Sequence, residues 1–83
     1  IKSVYPNPFN PIVTIKYEIS QLGDTSGKIY NLSGQLIENL FSEYKNIGHH
    51  TLTWDGSGYP SGIYFVQLKN QSQSLTQKIM LLK

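Results

Sequence analysis

Cysteine is absent from this sequence, arginine is absent, and charged residues make up only 14 % of it. Without cysteine no disulfide supports the fold. A chain of 83 residues buries only about 60–65 % of its unfolded surface, so stability must come from a well-filled core. The missing cysteine assigns no compartment, because it fits the cytosol and equally a bacterial surface protein. Without arginine there is no bidentate fork for phosphate or carboxylate. The lysines are dispersed and the formal net charge is only +2, too little for the basic patch of a nucleic-acid-binding protein. No apolar run approaches the roughly 20 residues of a membrane-spanning helix, and no signal-peptide pattern opens the chain. The first residue is not methionine. Residues 1–83 are therefore expected to be a single domain excised from a larger protein.

Proline, by contrast, is concentrated in one place: Tyr5-Pro6-Asn7-Pro8-Phe9-Asn10-Pro11 holds three prolines in six positions. Each fixes φ near −65°, removes a backbone donor and holds the preceding residue extended. The two asparagines favour tight turns. The segment is expected to lie outside regular core structure and to shape an edge of the fold.

Period-two patterning follows. Ile12 to Ile19 alternates, with Val13, Ile15, Tyr17 and Ile19 on one face, which predicts a half-buried strand. Gln21-Leu22-Gly23-Asp24 predicts a turn, then a strand over residues 25–32 with Ile29 inward and a gap or bulge at Gly27. Asn31-Leu32-Ser33-Gly34 predicts a tight connection, and residues 35–40 a third strand carrying Leu36, Ile37 and Leu40. Residues 41–48 show neither period and read as a loop. Residues 49–55 alternate with His50, Leu52 and Trp54 on one face, before a long turn rich in glycine over residues 55–62. Residues 63–69 are nearly continuously apolar, as in a central strand covered on both faces. After a turn over residues 70–74, residues 75–82 read as the last strand. The expected fold is all-β, an immunoglobulin-like antiparallel β-sandwich of about seven strands. Its core anchors are expected to be Ile15, Tyr17, Ile29, Leu52, Trp54 and Leu68, with Tyr64 a further large inward side chain.

Catalytic chemistry has little to build on. Glu18, Asp24, Glu38, Glu43 and Asp55 form no spaced carboxylate pair. His49 and His50 are adjacent on a strand, point to opposite faces and cannot share a metal ion. No serine sits in a nucleophile turn. Asp55-Gly56-Ser57-Gly58 lacks the further oxygen ligands of a calcium loop and reads as turn chemistry. No metal, cofactor or small-molecule substrate is expected. Tyr59, in the long turn, is the best exposed aromatic for a sugar platform, while Tyr17, Tyr64 and Trp54 occupy inward phases.

Six motifs in order carry a family resemblance. They are Tyr5-Pro6-Asn7-Pro8-Phe9-Asn10-Pro11; Thr14-Ile15-x-Tyr17; Ile29-Tyr30-Asn31 with Gly34-Gln35; Gly48-x-His50-x-x-x-Trp54-Asp55-Gly56; Ser61-Gly62-Ile63-Tyr64-Phe65-x-x-Leu68; and Lys78-Ile79-Met80-Leu81-Leu82-Lys83. Together they resemble the C-terminal sorting domains (type A) of type IX secretion cargo in Gram-negative bacteria. The stretch from Trp54-Asp55-Gly56 to Gly62-x-Tyr64 is also similar to the immunoglobulin-like domain of flagellar hook capping proteins. Thr25 and Gly27 depart from the family, standing where larger apolar residues are usual.

The resemblance implies a non-enzymatic export signal at the end of a secreted protein, delivered through the periplasm and across the outer membrane to the cell surface or medium. Its implied partners are an upstream cargo domain, an outer-membrane translocon and a sortase-like surface protease. Nucleic acid is not among them. The implied recognition residues are Pro6, Asn7 and Pro8, then Gly62 and Tyr64, then Lys78 and Lys83 in a basic tail. Structural readings stand beside these: Pro6 to Pro11 would clamp the first strand, and Lys78 and Lys83 would guard an edge against aggregation. The competing functions are an immunoglobulin-like accessory domain that stabilises a catalytic neighbour, and a carbohydrate-binding module built on Tyr59.

Trp54→Ala is expected to cost about 3–5 kcal/mol in chemical denaturation, the range for truncating a buried large aromatic. A loss below about 1 kcal/mol would make Trp54 a surface side chain.

Overall fold

In the computed structural model, which describes residues 3–71 and 73–83, seven strands form two antiparallel sheets that pack as a sandwich. The part of the expected 70–74 turn that falls on Ser72 lies outside the described residues. The strands are β1 (Ser3–Tyr5), β2 (Ile12–Ile19), β3 (Gly23–Asn31), β4 (Leu36–Lys45), β5 (Gly48–Asp55), β6 (Gly62–Lys69) and β7 (Ser74–Leu81). One sheet has the order β1-β2-β5 and the other β4-β3-β6-β7.

The alternation in β2 sets its inner face: Val13, Ile15, Tyr17 and Ile19 are all buried. β5 pairs with β2 along its whole length, Val13 opposite Trp54 and Ile15 opposite Leu52. The facing sheet contributes Ile29 from β3, Tyr64, Val66 and Leu68 from β6, and Ile79 and Leu81 from β7. Trp54 sits at the centre, with ring centroids of Phe9, Tyr59 and Tyr64 at 5.7, 5.6 and 5.4 Å. Ile15, Tyr17, Ile29, Trp54 and Leu68 are thus buried, whereas Leu52 packs on the core from its margin and stays half-buried.

Several strand expectations are corrected. Gly23 and Asp24 are not in the turn but open β3, where Gly23 pairs with Lys45. Residues 41–45 are not loop, because β4 continues to Lys45. The period is hidden there by two bulges: Lys28 pairs with Asn39 while Gly27 pairs with Phe41, and Tyr30 pairs with Leu36 while Ile29 pairs with Glu38. Leu40 and Ile37 are the extra residues, and each resets the in-out phase. As a result Ile37, Leu40 and Phe41 all pack against the core although they are not spaced by two. β6 is an inner strand, but only one of its faces is in the core; Ile63, Phe65 and Gln67 are half-buried on the other.

Gly27 and Thr25, where the sequence departs from the pattern it resembles, each fit their place in this sheet. Gly27 lies opposite Phe41, and a Cβ there would collide with the Phe41 ring and come within 3.3 Å of Leu68 Cδ2. The Phe41 ring, stacked on Tyr17 at 6.2 Å, fills the space that a larger side chain at 27 would occupy. Thr25 is buried and satisfies its hydroxyl by donating to the Gly23 carbonyl at 3.2 Å.

The connections follow from their residues. At the β3–β4 hairpin Gly34 takes φ +84°, a backbone state that costs glycine little, and its N–H donates to the Asn31 carbonyl at 3.0 Å. Asn31 Oδ1 accepts the Gln35 N–H at 3.0 Å. In the β5–β6 connection Asp55 Oδ1 accepts the Ser57 N–H at 2.9 Å, which holds the Asp55 carboxyl below its usual value.

Gly27→Ala is expected to destabilise the protein by about 1–3 kcal/mol through overpacking against Phe41. Most of that loss should vanish in a Phe41→Leu background, as read by a double-mutant cycle in urea. A neutral Gly27→Ala would show that the ring is not held against Gly27.

Candidate functional site

The proline segment leaves β1 in one sheet and crosses to the edge of the other. Phe9 is the hinge of that crossing. Its N–H donates to the Met80 carbonyl at 2.9 Å, and its carbonyl accepts the Leu82 N–H at 3.0 Å, a parallel bridge to Leu81. Its ring meanwhile is buried against Trp54. As expected, residues 6–11 lie outside the strands and shape an edge, with two exceptions to that reading. Tyr5 ends β1, and Phe9 is among the largest fully buried side chains. Pro6, Pro8 and Pro11 carry no N–H, which leaves Asn7, Phe9 and Asn10 as the backbone donors of residues 6–11.

Asn7 points at the same strand. Its Oδ1 accepts the Met80 N–H at 3.0 Å, and its Nδ2 makes a longer 3.4 Å contact to the Lys78 carbonyl. An asparagine side chain thus stands in for a missing strand, offering an acceptor and a donor to the exposed edge of β7. Pro6 and Pro8 flank it and are exposed. The segment is a strap over the end of β7 and the residue that follows it, from Lys78 to Leu82.

Gly62 and Tyr64 lie on the other side of β7: Gly62 pairs with Leu81, which also pairs with Phe9, and Tyr64 pairs with Ile79. Gly62 has φ +157°, and a Cβ there would meet nothing within 4 Å. Glycine is therefore required by the backbone at the entry to β6, not by close packing. Tyr64 is buried, and its hydroxyl donates to the Pro60 carbonyl at 2.6 Å. A tyrosine at the start of a sandwich strand bonded a few residues upstream is the tyrosine-corner arrangement, which pins the turn to the sheet.

The two lysines differ. The Lys83 N–H donates to Ser61 Oγ at 2.9 Å and its Nζ to the Ser57 carbonyl at 2.6 Å, so the chain end is tied to the β5–β6 connection. Lys78 is exposed on the outer face of β7, opposite Phe65. The structure therefore brings Pro6, Asn7, Pro8, Gly62, Tyr64, Lys78 and Lys83 around one strand. Of these, Pro6, Pro8 and Lys78 present their side chains outward.

Two residues with structural consequence escape a reading of the sequence. Phe9 was open to detection as the one aromatic inside the proline run. Glu38 accepts the Trp54 Nε1–H at 3.1 Å and the Tyr59 hydroxyl at 3.1 Å. A buried indole needs an acceptor, but its identity depends on which strand faces it. Tyr59 is accordingly not the exposed aromatic expected: it is half-buried against Trp54, and burial with the Glu38 carboxylate holds its phenol above the ordinary pKa.

His49 and His50 separate as expected. His49 Nε2 is 3.4 Å from Glu18 Oε2, while His50 stacks on Tyr17 and its ring Nε2 lies 2.8 Å from the Asn46 carbonyl. Among the described residues no group of three or more His, Cys, Asp or Glu could hold a metal ion. What the β7 flank offers is shape and ordered backbone groups.

The sequence profile of the secretion system C-terminal sorting domain matches residues 3–82. The chain belongs to that family. No curated protein matches the sequence. The domain is the sorting signal of the type IX secretion system, which carries an upstream cargo protein across the outer membrane of a Gram-negative cell to the surface or beyond.

Asn7→Ala is expected to lower stability by about 0.5–1.5 kcal/mol, the net worth of a hydrogen bond, and to speed amide exchange at Met80. Unchanged exchange at Met80 would mean that Asn7 does not hold the strap.

Proposed function

We propose that the outer-membrane translocon reads this domain on the flank formed by the strap and β7. The observation that carries this reading is convergence. Residues 5–11, 62–64 and 78–83, far apart in the sequence, meet on one strand through the Phe9–Leu81, Gly62–Leu81 and Tyr64–Ile79 pairings. A signal shared by unrelated cargoes has to be carried by its own fold, and a surface that forms only when three segments are in place reports that the fold is complete. In this reading Asn7, Phe9, Gly62, Tyr64 and Lys83 build the surface, while Pro6, Pro8 and Lys78 are what the partner touches. The 83 residues act as one sorting unit without catalytic residues of their own. A sortase-like protease that releases the cargo at the surface is the second partner.

The test separates contact from stability. The domain is fused to a fluorescent reporter carrying an inner-membrane export signal and expressed in a type IX-competent host. Lys78→Glu, at an exposed position, should leave the melting temperature of the isolated domain unchanged and strand the reporter in the periplasm. Export at the wild-type level would move the recognised surface away from Lys78.

A further inference from the structure

The two flanks of the sandwich are not alike. The flank formed by β1 and β7 is closed by the strap; on the other, β4 and β5 are the sheet edges, and among the described residues they are not paired to each other. Trp54 Nε1–H donates to Glu38 across that gap, and the Tyr59 hydroxyl donates to the Ile37 carbonyl at 3.2 Å. Ile37, Leu40 and Leu52 pack on the core there and are only half-buried.

An unguarded edge strand is a template for pairing, and proteins blunt edges by shortness, proline, lysine, bulges or a cover. β1 is 3 residues long. β4 carries two bulges and the Glu43–Lys45 ion pair at 2.7 Å. β7 has the strap and Lys78. β5 has none of these. It runs for 8 residues without proline, lysine or bulge, and among the described residues nothing pairs with its outer side.

β5 is also complementary to itself. When two copies run antiparallel about Leu52, His49 falls opposite the second copy's Asp55 at both ends, and Thr51 falls opposite Thr53. These four positions are exposed on one face. On the inner face Leu52 meets Leu52 and His50 meets Trp54. His49 would then stand between its own Glu18 and the second copy's Asp55, an acidic neighbour on each side. Cross-strand threonine pairs favour such a register, and a carboxylate opposite the imidazole offers it a hydrogen-bond acceptor. A register centred on Thr51 would put His49 opposite Thr53 and lose both imidazole–carboxylate pairs.

We propose that β5 is a homodimerisation edge, pairing antiparallel with β5 of a second copy in the register centred on Leu52. The two three-stranded sheets become one continuous sheet in the order β1-β2-β5-β5-β2-β1. The strap flank of each copy stays uncovered, so the dimer presents two sorting surfaces at opposite ends.

Sedimentation of the full 83-residue chain across micromolar to millimolar concentration tests this. The wild type should form a concentration-dependent dimer whose β5 amides gain protection in hydrogen exchange. Thr51→Lys/Thr53→Lys changes only exposed side chains and should leave the circular dichroism unaltered; because the lysine at 51 faces Lys16 across the β2–β5 pair, its dilute-solution melting is the baseline against which association is read. It sets a lysine at 51 against a lysine at 53 and should weaken association by more than about tenfold. Thr51→Lys/Thr53→Glu sets lysine against glutamate in the proposed register and should restore the dimer. In a register centred on Thr51 it would set lysine against lysine and fail to do so. A wild type that stays monomeric at millimolar concentration overturns the proposal. So does a dimer indifferent to the double lysine, or a lysine–glutamate variant as monomeric as the double lysine.

Discussion

The pairing of Phe9 with the end of β7, made while its ring fills the core beside Trp54, is the interaction on which the rest of this sandwich depends. A small domain without disulfides has to close its flanks as well as fill its centre. Burying a phenylalanine side chain contributes about 1.5–3 kcal/mol, and each backbone bond adds about 1 kcal/mol net. Here both act through one residue. They also fix the position of the chain between β1 and β2, because the Pro11 carbonyl accepts the Gly56 N–H at 2.9 Å on the same side of the core. Gly56 is buried between Phe9, Trp54 and Leu81, where a Cβ would come within 3.1 Å of Leu81.

From that constraint follows the division of the surface. At the closed flank, motif residues that look like a scattered recognition code prove to be occupied with building: Asn7 completes the β7 edge, Gly62 lets the chain enter β6, Tyr64 pins the turn and Lys83 ties down the end. Residues that shape a surface are as necessary to a sorting signal as those that touch the partner. At the other flank the fourth strand pairs with the third instead of the fifth, which leaves β5 at an edge without a guard.

Much of the strand content was legible because the chain alternates where one face is buried. Ile12 to Ile19 and His49 to Asp55 were read from period two alone; β2 has those bounds and β5 begins one residue earlier, at Gly48. β4 was legible only in its first half. Two bulges shift the phase at Ile37 and Leu40, so a strand of 10 residues presents no continuous period. Tyr59 was misread for a related reason. Turn composition says that a residue lies between strands, but it is silent on whether β4 will reach across to meet its hydroxyl.

By itself the sequence determined the all-β class, the tight Asn31–Gly34 connection and the family, since all three rest on local propensity and on residues read in order. The proline segment was also visible as something irregular and constrained. What only the tertiary structure decided is where that segment goes: Asn7 and Phe9 bond β7 more than 70 positions away, at separations of 71 and 73 for the Asn7 side chain. Propensity acts over a few residues, whereas the partner of an edge strand is chosen by which faces the core brings together. The strap, the convergence of the motifs and the open β5 edge all belong to that second kind of information.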